Sequence, residues 1–456
     1  MKLKGFFEFL IGVAMMPLLA GASPFMHVLF AVILVLAIVL PKPKNTFFLK
    51  YGLRTTACGT VTINIAQASI GQSLQTNDGI CGMVLTGVTE EGGYTLGTPI
   101  YVTSLASASS GANAITLANN PFAYRQISDF YSVPGTVNAG LYIMLVPNTM
   151  TVADMADNTN SASAKVLLNY AKTAGLPIKK LYIMSDDTVV TVADITVGIN
   201  PACYTAVTNM QVMATAFAAL QLPFRCIIGA TSYDGTVGNL TNMTSGTTNN
   251  RVELLLWDLQ PSSGYSGGAA CALGFTAGCD AVLPVQRKRS RVKNGPLPGI
   301  SECYVGTETV EAAGGDIATM VTKGFATVQT YPQASGYFFS GVPMCTATSD
   351  TYNTLVAGCV IDKAQIIAYA RYLQEVDDEV PVQADGTIDP SWAGNLQQET
   401  NNDFQTNMVA PGNCTSASCS ISLTQNIAES GLLAIMIVVN GVAYAVNIQI
   451  TLGLAA

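Results

Sequence analysis

Catalysis by proton transfer or metal assistance needs imidazoles, carboxylate pairs or thiolates, so the search for chemistry starts with those side chains. The 456-residue chain contains one histidine, His27, inside an apolar stretch. A Ser-His-Asp or Cys-His hydrolase needs an imidazole beside its nucleophile, and a catalytic zinc usually takes at least one. Gly264-Tyr265-Ser266-Gly267-Gly268 matches the GxSxG elbow and follows a strand-like segment, 251–259. Without a histidine beyond residue 27 the match has almost no force. It reads instead as a glycine-rich turn that opens a small-residue helix over 269–277. No P-loop, no GxGxxG after a strand, no HExxH and no EF-hand loop occurs. These residues predict no catalytic, cofactor-binding or metal site, and no enzyme activity.

The eleven cysteines are an odd number with no CxxC pair and no repeating spacing. Most stand among apolar neighbours, as Cys226 and Cys359 do, where a free thiol behaves as a small hydrophobe. Cys414 and Cys419 are close enough to close a short loop, but reduced thiols in a reducing compartment are preferred.

Charge is sparse. Asp, Glu, Lys and Arg make up 11% of the chain and apolar residues 49%, and 21 basic against 29 acidic side chains give a net charge of −8. That balance argues against a general nucleic-acid binder. So thin a mixture of charges on so large a protein points to a surface covered by neighbours in an assembly. Two clusters stand out. Arg287, Lys288, Arg289, Arg291 and Lys293 form a dense basic run, and Asp377, Asp378 and Glu379 follow directly on a helix read over roughly 350–376. Each is either a solvated surface or a contact with an oppositely charged neighbour. Acidic groups at a helix carboxyl end oppose the macrodipole unless a cation meets them.

The elements that would position such contacts follow from periodicity. Strands are expected over 80–85, 99–103, 141–146, 180–184, 224–228 and 251–257. Helices are expected over 121–131, 162–174, 201–220 and after Gly268, with Pro201 in a first turn. Repeated β then α units imply an α/β fold with a mostly parallel sheet covered by helices. From about residue 331 the pattern changes to an α+β unit. Its antiparallel strands are read at 421–423, 432–439 and 442–452, around an Asn440-Gly441 type I′ turn, after a loop holding Asp385-Gly386 and Trp392. Period-two strands lie near both ends of the chain, with Val61, Ile63 and Ile65 on one side of 60–66 and Ile448, Ile450 and Leu452 on one side of 447–452. Neither has an obvious hairpin partner, which suits pairing with another subunit.

The first 45 residues differ from the rest. Two apolar segments, 5–22 and 25–40, are separated by Ser23-Pro24 and flanked by lysines. They fit a membrane hairpin, a cleaved signal peptide ending at Ala20-Gly21-Ala22, or an atypical extension too short to span. The expected organisation is therefore a hydrophobic segment at 1–45, an arm at 46–77, an α/β domain at 78–330 and a C-terminal domain at 331–456.

The C-terminal third resembles contractile tail sheath proteins of phages and phage-derived injection systems. The likeness rests on Gly336-Tyr337-Phe338-Phe339, Pro343, the stretch from Thr346 to Tyr352, Val360-Ile361-Asp362-Lys363-Ala364, Ile367-Ala368-Tyr369 and Asp378-Glu379-Val380-Pro381-Val382. Upstream, Asp78-Gly79-Ile80-Cys81-Gly82, Leu96-Gly97-Thr98-Pro99, Pro284-Val285-Gln286-Arg287 and Arg291-Val292-Lys293-Asn294-Gly295 stand in the same order. The resemblance covers 58–456. It implies a virion tail protein assembled in the cytoplasm of a bacterial host, whose subunits stack helically around an inner tube and contract to drive it through an envelope for DNA ejection. The terminal strands would link neighbouring subunits, and the C-terminal domain would lie nearest the tube. Implied partners are further copies of the chain, the inner tube protein, and baseplate and tail terminator proteins, with no direct nucleic-acid contact. The hydrophobic first 45 residues depart from the pattern and leave a membrane contact through residues 5–40 open. They also support the rival reading of a membrane-anchored α/β receptor or enzyme.

Overall fold

In the computed structural model the chain divides into two units, residues 1–58 and 59–456. The structure describes residues 78–91, 93–186, 194–261, 271–283, 285, 292 and 295–443. The apolar segments within 1–45 and the arm at 46–77 lie outside them. Among the described residues no helix is long and apolar enough to cross a membrane.

Strands β1 (Cys81–Gly87), β2 (Ile100–Val102), β3 (Leu141–Pro147), β4 (Lys180–Met184), β5 (Arg225–Gly229), β6 (Val252–Leu255) and β7 (Phe325–Ala326) form one sheet in the order β7-β6-β5-β4-β1-β3-β2. All pair in parallel except β2, which runs antiparallel to β3 at an edge. The inner strands are apolar on nearly every residue because both faces are covered, as parallel sheets require.

Helices α1 (Pro121–Ser132), α2 (Val152–Ala156), α3 (Lys165–Thr173) and α4 (Pro201–Ala219) begin on local signals. Pro121 and Pro201 occupy first turns, where a missing N–H costs nothing, and Asn200 and Thr151 accept amide hydrogen bonds as caps. Helix α5 (Leu273–Val282) packs on α1 at backbone distance. A Cβ at Gly274 or Gly278 would fall 1.9 Å from the Gln126 carbonyl oxygen or 2.6 Å from that of Phe130, so only glycine fits. The small residues that give the sequence its bland look here set the spacing of the layer.

After α6 (Gly314–Thr322) and β7, a hairpin of β8 (Val328–Tyr331) and β9 (Ala334–Phe339) returns Phe339 to the main core beside Trp257. Helix α7 (Leu355–Tyr372) is shorter than the sequence suggests, ending before a single 3-10 turn at Leu373–Glu375. The segment around Trp392, read as loop, is helix α8 (Pro390–Phe404), capped by Asp389, whose Oδ1 accepts from the amides of Ser391 and Trp392 at 2.9 and 3.0 Å. A second core of Ile367, Tyr372, Ile388, Leu396, Phe404, Cys419 and Ile421 joins α7, α8 and an antiparallel pair, β10 (Cys414–Ile421) with β11 (Ile435–Gly441).

Asn440 and Gly441 do not make the expected turn. Neither has the positive φ that a type I′ turn demands. Asn440 is a strand residue opposite Ser416 and donates Nδ2–H to its Oγ at 2.8 Å. The ten described cysteines are free. Cys414 and Cys419 sit in different apolar clusters and do not pair.

Candidate functional site

The densest buried chemistry lies where α7 meets the amino-terminal ends of the central strands. Lys180, the first residue of β4, pairs in register with Arg225, the first of β5, and Arg251 immediately precedes Val252, the partner of Cys226. Three cations thus stand side by side across strands about 4.8 Å apart, an arrangement that repels unless carboxylates meet it. Two do. Asp362 of α7 accepts from Arg225 through both oxygens, at 2.5 Å from Nε and 2.8 Å from Nη2, and from Arg251 Nη1 at 3.0 Å. Asp280 of α5 stands 3.4 Å from the Lys180 ammonium and accepts from the Tyr182 hydroxyl at 2.6 Å.

Arg225 is 1% exposed, and two more of its N–H groups reach main-chain carbonyls, Nη1 to Asn250 at 2.6 Å and Nη2 to Gly358 at 3.0 Å. Residue 358 must be glycine for this to happen, because a Cβ there would sit 2.7–2.9 Å from the guanidinium. The planar fork therefore lies flat on one turn of α7. One residue on, Lys363 donates to Asp78 at 2.8 Å and to Asn413 Oδ1 at 3.1 Å. Asp362 and Lys363 belong to the stretch on which the family resemblance rests, and their side chains clamp α7 to the sheet. Burial drives nearby titrations away from ordinary values. It pushes the Cys359 thiol up to about 11 against the pull of Lys180 and Arg225, and it lowers Lys179 against the pull of Asp78 and Asp362.

A second feature is the charge of everything beyond the clamp. From residue 372 to the end there is no lysine or arginine, while Glu375, Asp377, Asp378, Glu379, Asp385, Asp389, Glu399, Asp403 and Glu429 are all acidic. Arg371 neutralises part of this, gripping Asp403 through Nε at 2.6 Å and Glu399 through Nη1 at 2.9 Å. Glu375 is raised by burial and by Asp378 and Glu399. Asp377, Asp378 and Glu379 are exposed and follow the 3-10 turn rather than α7 itself, with Asp377 in the left-handed region at φ 65°. They are one turn removed from the end of α7, which weakens the opposition to its dipole. Met436 on β11 and Leu423 and Leu432 in the connection between β10 and β11 add exposed apolar side chains.

The other expected interface residues, Val61, Ile63, Ile65, Ile448, Ile450, Leu452, Arg287, Lys288, Arg289, Arg291 and Lys293, lie outside the described residues, as does the Gly264–Gly268 turn. Sequence reasoning missed the clamp because its halves stand 137 residues apart. It also missed the one-sided charge after residue 372, which a running count of Lys and Arg would have found.

Residues 58–342 match the family described as DUF2586, N-terminal domain. A search of curated proteins gives no match. Among solved structures, the fold is similar to a chain in "Cryo-EM structure of the anti-feeding prophage (AFP) baseplate in contracted state", with 13% identity and a TM-score of 0.51. The similarity covers 86% of this chain and 99% of that one.

Proposed function

The chain belongs to the DUF2586 family, and from that premise we propose that it is a structural subunit of a phage tail or related contractile injection machine, acting in it as the sheath. The observation that carries this reading is the similarity of fold over 99% of a chain from the baseplate of such a machine. A shared domain alone would support far less, since folds host many functions. The resemblance of 336–382 to sheath sequences and the period-two sequence patterns at 60–66 and 447–452 favour a sheath over another tail component. No covalent catalysis is needed. Work would come from two packings of the same subunits, with energy stored at assembly in interfaces that switch cooperatively.

In this reading the clamp at Arg225, Asp362 and Arg251 keeps the α/β and C-terminal layers moving as one body, so that rearrangement falls on contacts between subunits. The terminal strands would complete sheets in neighbouring copies, and the acidic surface after residue 372 would meet a basic surface on the inner tube or on the 287–293 run of a neighbour. Baseplate and terminator proteins would meet the polymer at its ends, in a virion tail built in the host cytoplasm. Immunogold labelling of particles with antibody to this chain tests the assignment. Label along the whole tail is expected. Label confined to one end would make the chain a baseplate component, and absence from particles would end the structural reading.

A further inference from the structure

Beside the clamp lies a cavity of about 20 Å3, room for one body the size of a water molecule or a halide ion. Its charged lining is three ammoniums, Lys179, Lys180 and Lys363, and two carboxylates, Asp78 and Asp362. Both carboxylates are already engaged. Asp362 is shared between two guanidiniums, and Asp78 accepts from Lys363 at 2.8 Å. Each ammonium carries three donors. Lys363 places one on Asp78 and one on Asn413. The Lys179 ammonium has no hydrogen bond or ion pair among the described residues. Lys180 is met by Asp280 and Asp362 by the two guanidiniums, so among the described residues Lys179 and Lys363 share one carboxylate, Asp78, and keep donors to spare in a partly open, half-buried site.

We propose that this cavity binds a small monovalent anion, chloride being the abundant candidate, held by Lys179 and Lys363 at the junction of sheet and α7. Positive charge drawn partly out of water is costly without a close counter-charge, and a water molecule would satisfy the donors but leave the charge. An anion satisfies both. The depression of Lys179 by burial fits the same picture, since Asp78 and Asp362 pull against it without forming an ion pair with it. The site is independent of the proposed place in a tail, and its failure would leave that reading untouched.

The test is a thermal melt of the full chain across a chloride series at constant ionic strength, balanced with methanesulfonate, which is too large for the cavity. Binding to the native state alone raises Tm by about 1–2 °C for each tenfold rise in chloride above its dissociation constant. Chloride-35 NMR supplies the second readout, with line broadening expected in the native protein and removed by bromide. In Lys179→Met both effects should disappear while the far-UV circular dichroism stays native. A Tm indifferent to chloride together with no specific broadening means that the cavity holds water only and overturns the proposal. Retention of both effects in Lys179→Met would overturn it as well.

Discussion

Replacing Asp362 with alanine tests the clamp directly. The substitution leaves Arg225 and Arg251 facing each other beneath α7, with side chains 2% and 11% exposed and no carboxylate between them. Arg225 would keep its bonds to the carbonyls of Asn250 and Gly358, so the loss is chiefly the counter-charge. Removing one partner of a buried pair costs about 3–5 kcal/mol, against under about 1 kcal/mol for an exposed one. With two guanidiniums stranded, the expected loss is about 4 kcal/mol. Urea denaturation is the assay, since it adds no salt to screen the pair. The two tryptophans divide the readout, because Trp257 lies in the main core and Trp392 packs on the C-terminal one. Their transitions should coincide in the native protein and separate in Asp362→Ala, with the Trp392 transition moving to lower urea. The combined Arg225→Met, Arg251→Leu, Asp362→Leu variant should regain most of the loss, because the penalty is uncompensated charge and not missing volume. A loss below about 1 kcal/mol with coincident transitions would refute the claim that this cluster holds the layers together.

Other outcomes follow from the same structure. Asp129 is pushed up to about 6, mainly by burial, with Asp258 adding to the shift and Arg125 opposing it. A carboxyl whose folded pKa exceeds its unfolded value penalises folding above the folded pKa and is relieved as pH falls towards the unfolded one. Asp129→Asn should therefore stabilise the protein by up to about 2–3 kcal/mol at pH 7 and by almost nothing near pH 4, measured as the difference between matched melts; a difference independent of pH would count against the assignment. Asp389→Ala removes the cap of α8 and should lower stability by about 1 kcal/mol with a small loss of helical signal, and no change would show the cap to be redundant. If the 287–293 run contacts an acidic neighbour, reversing Arg287, Lys288 and Arg289 to glutamate should impair polymerisation and alter its salt dependence; unchanged assembly would return the run to a solvated loop.

The parallel core was legible because its signals are local. Continuous apolar runs bounded by glycine and proline gave β1, β3, β4 and β5 to within two residues at either end, and Pro121 and Pro201 marked helix starts. Helix α8 escaped because it is polar, burying only Ala393, Leu396, Thr400 and Phe404, although Asp389-Pro390 announces its start. Asn440-Gly441 misled because a dipeptide preference for a turn yields when its flanks can pair over seven residues, as β11 does with β10. The charged site was the least readable part. Lys180, Arg225 and Arg251 look like ordinary strand boundaries, and Asp362 and Lys363 like the solvated side of a helix. Only the topology brings them together and out of water.

Negative-stain electron microscopy of the purified full chain, followed over protein concentration and salt, tests the central claim most directly. A sheath subunit should form hollow tubes or stacked rings with a regular axial repeat. Monodisperse single chains of 47.7 kDa at every concentration and salt would contradict it.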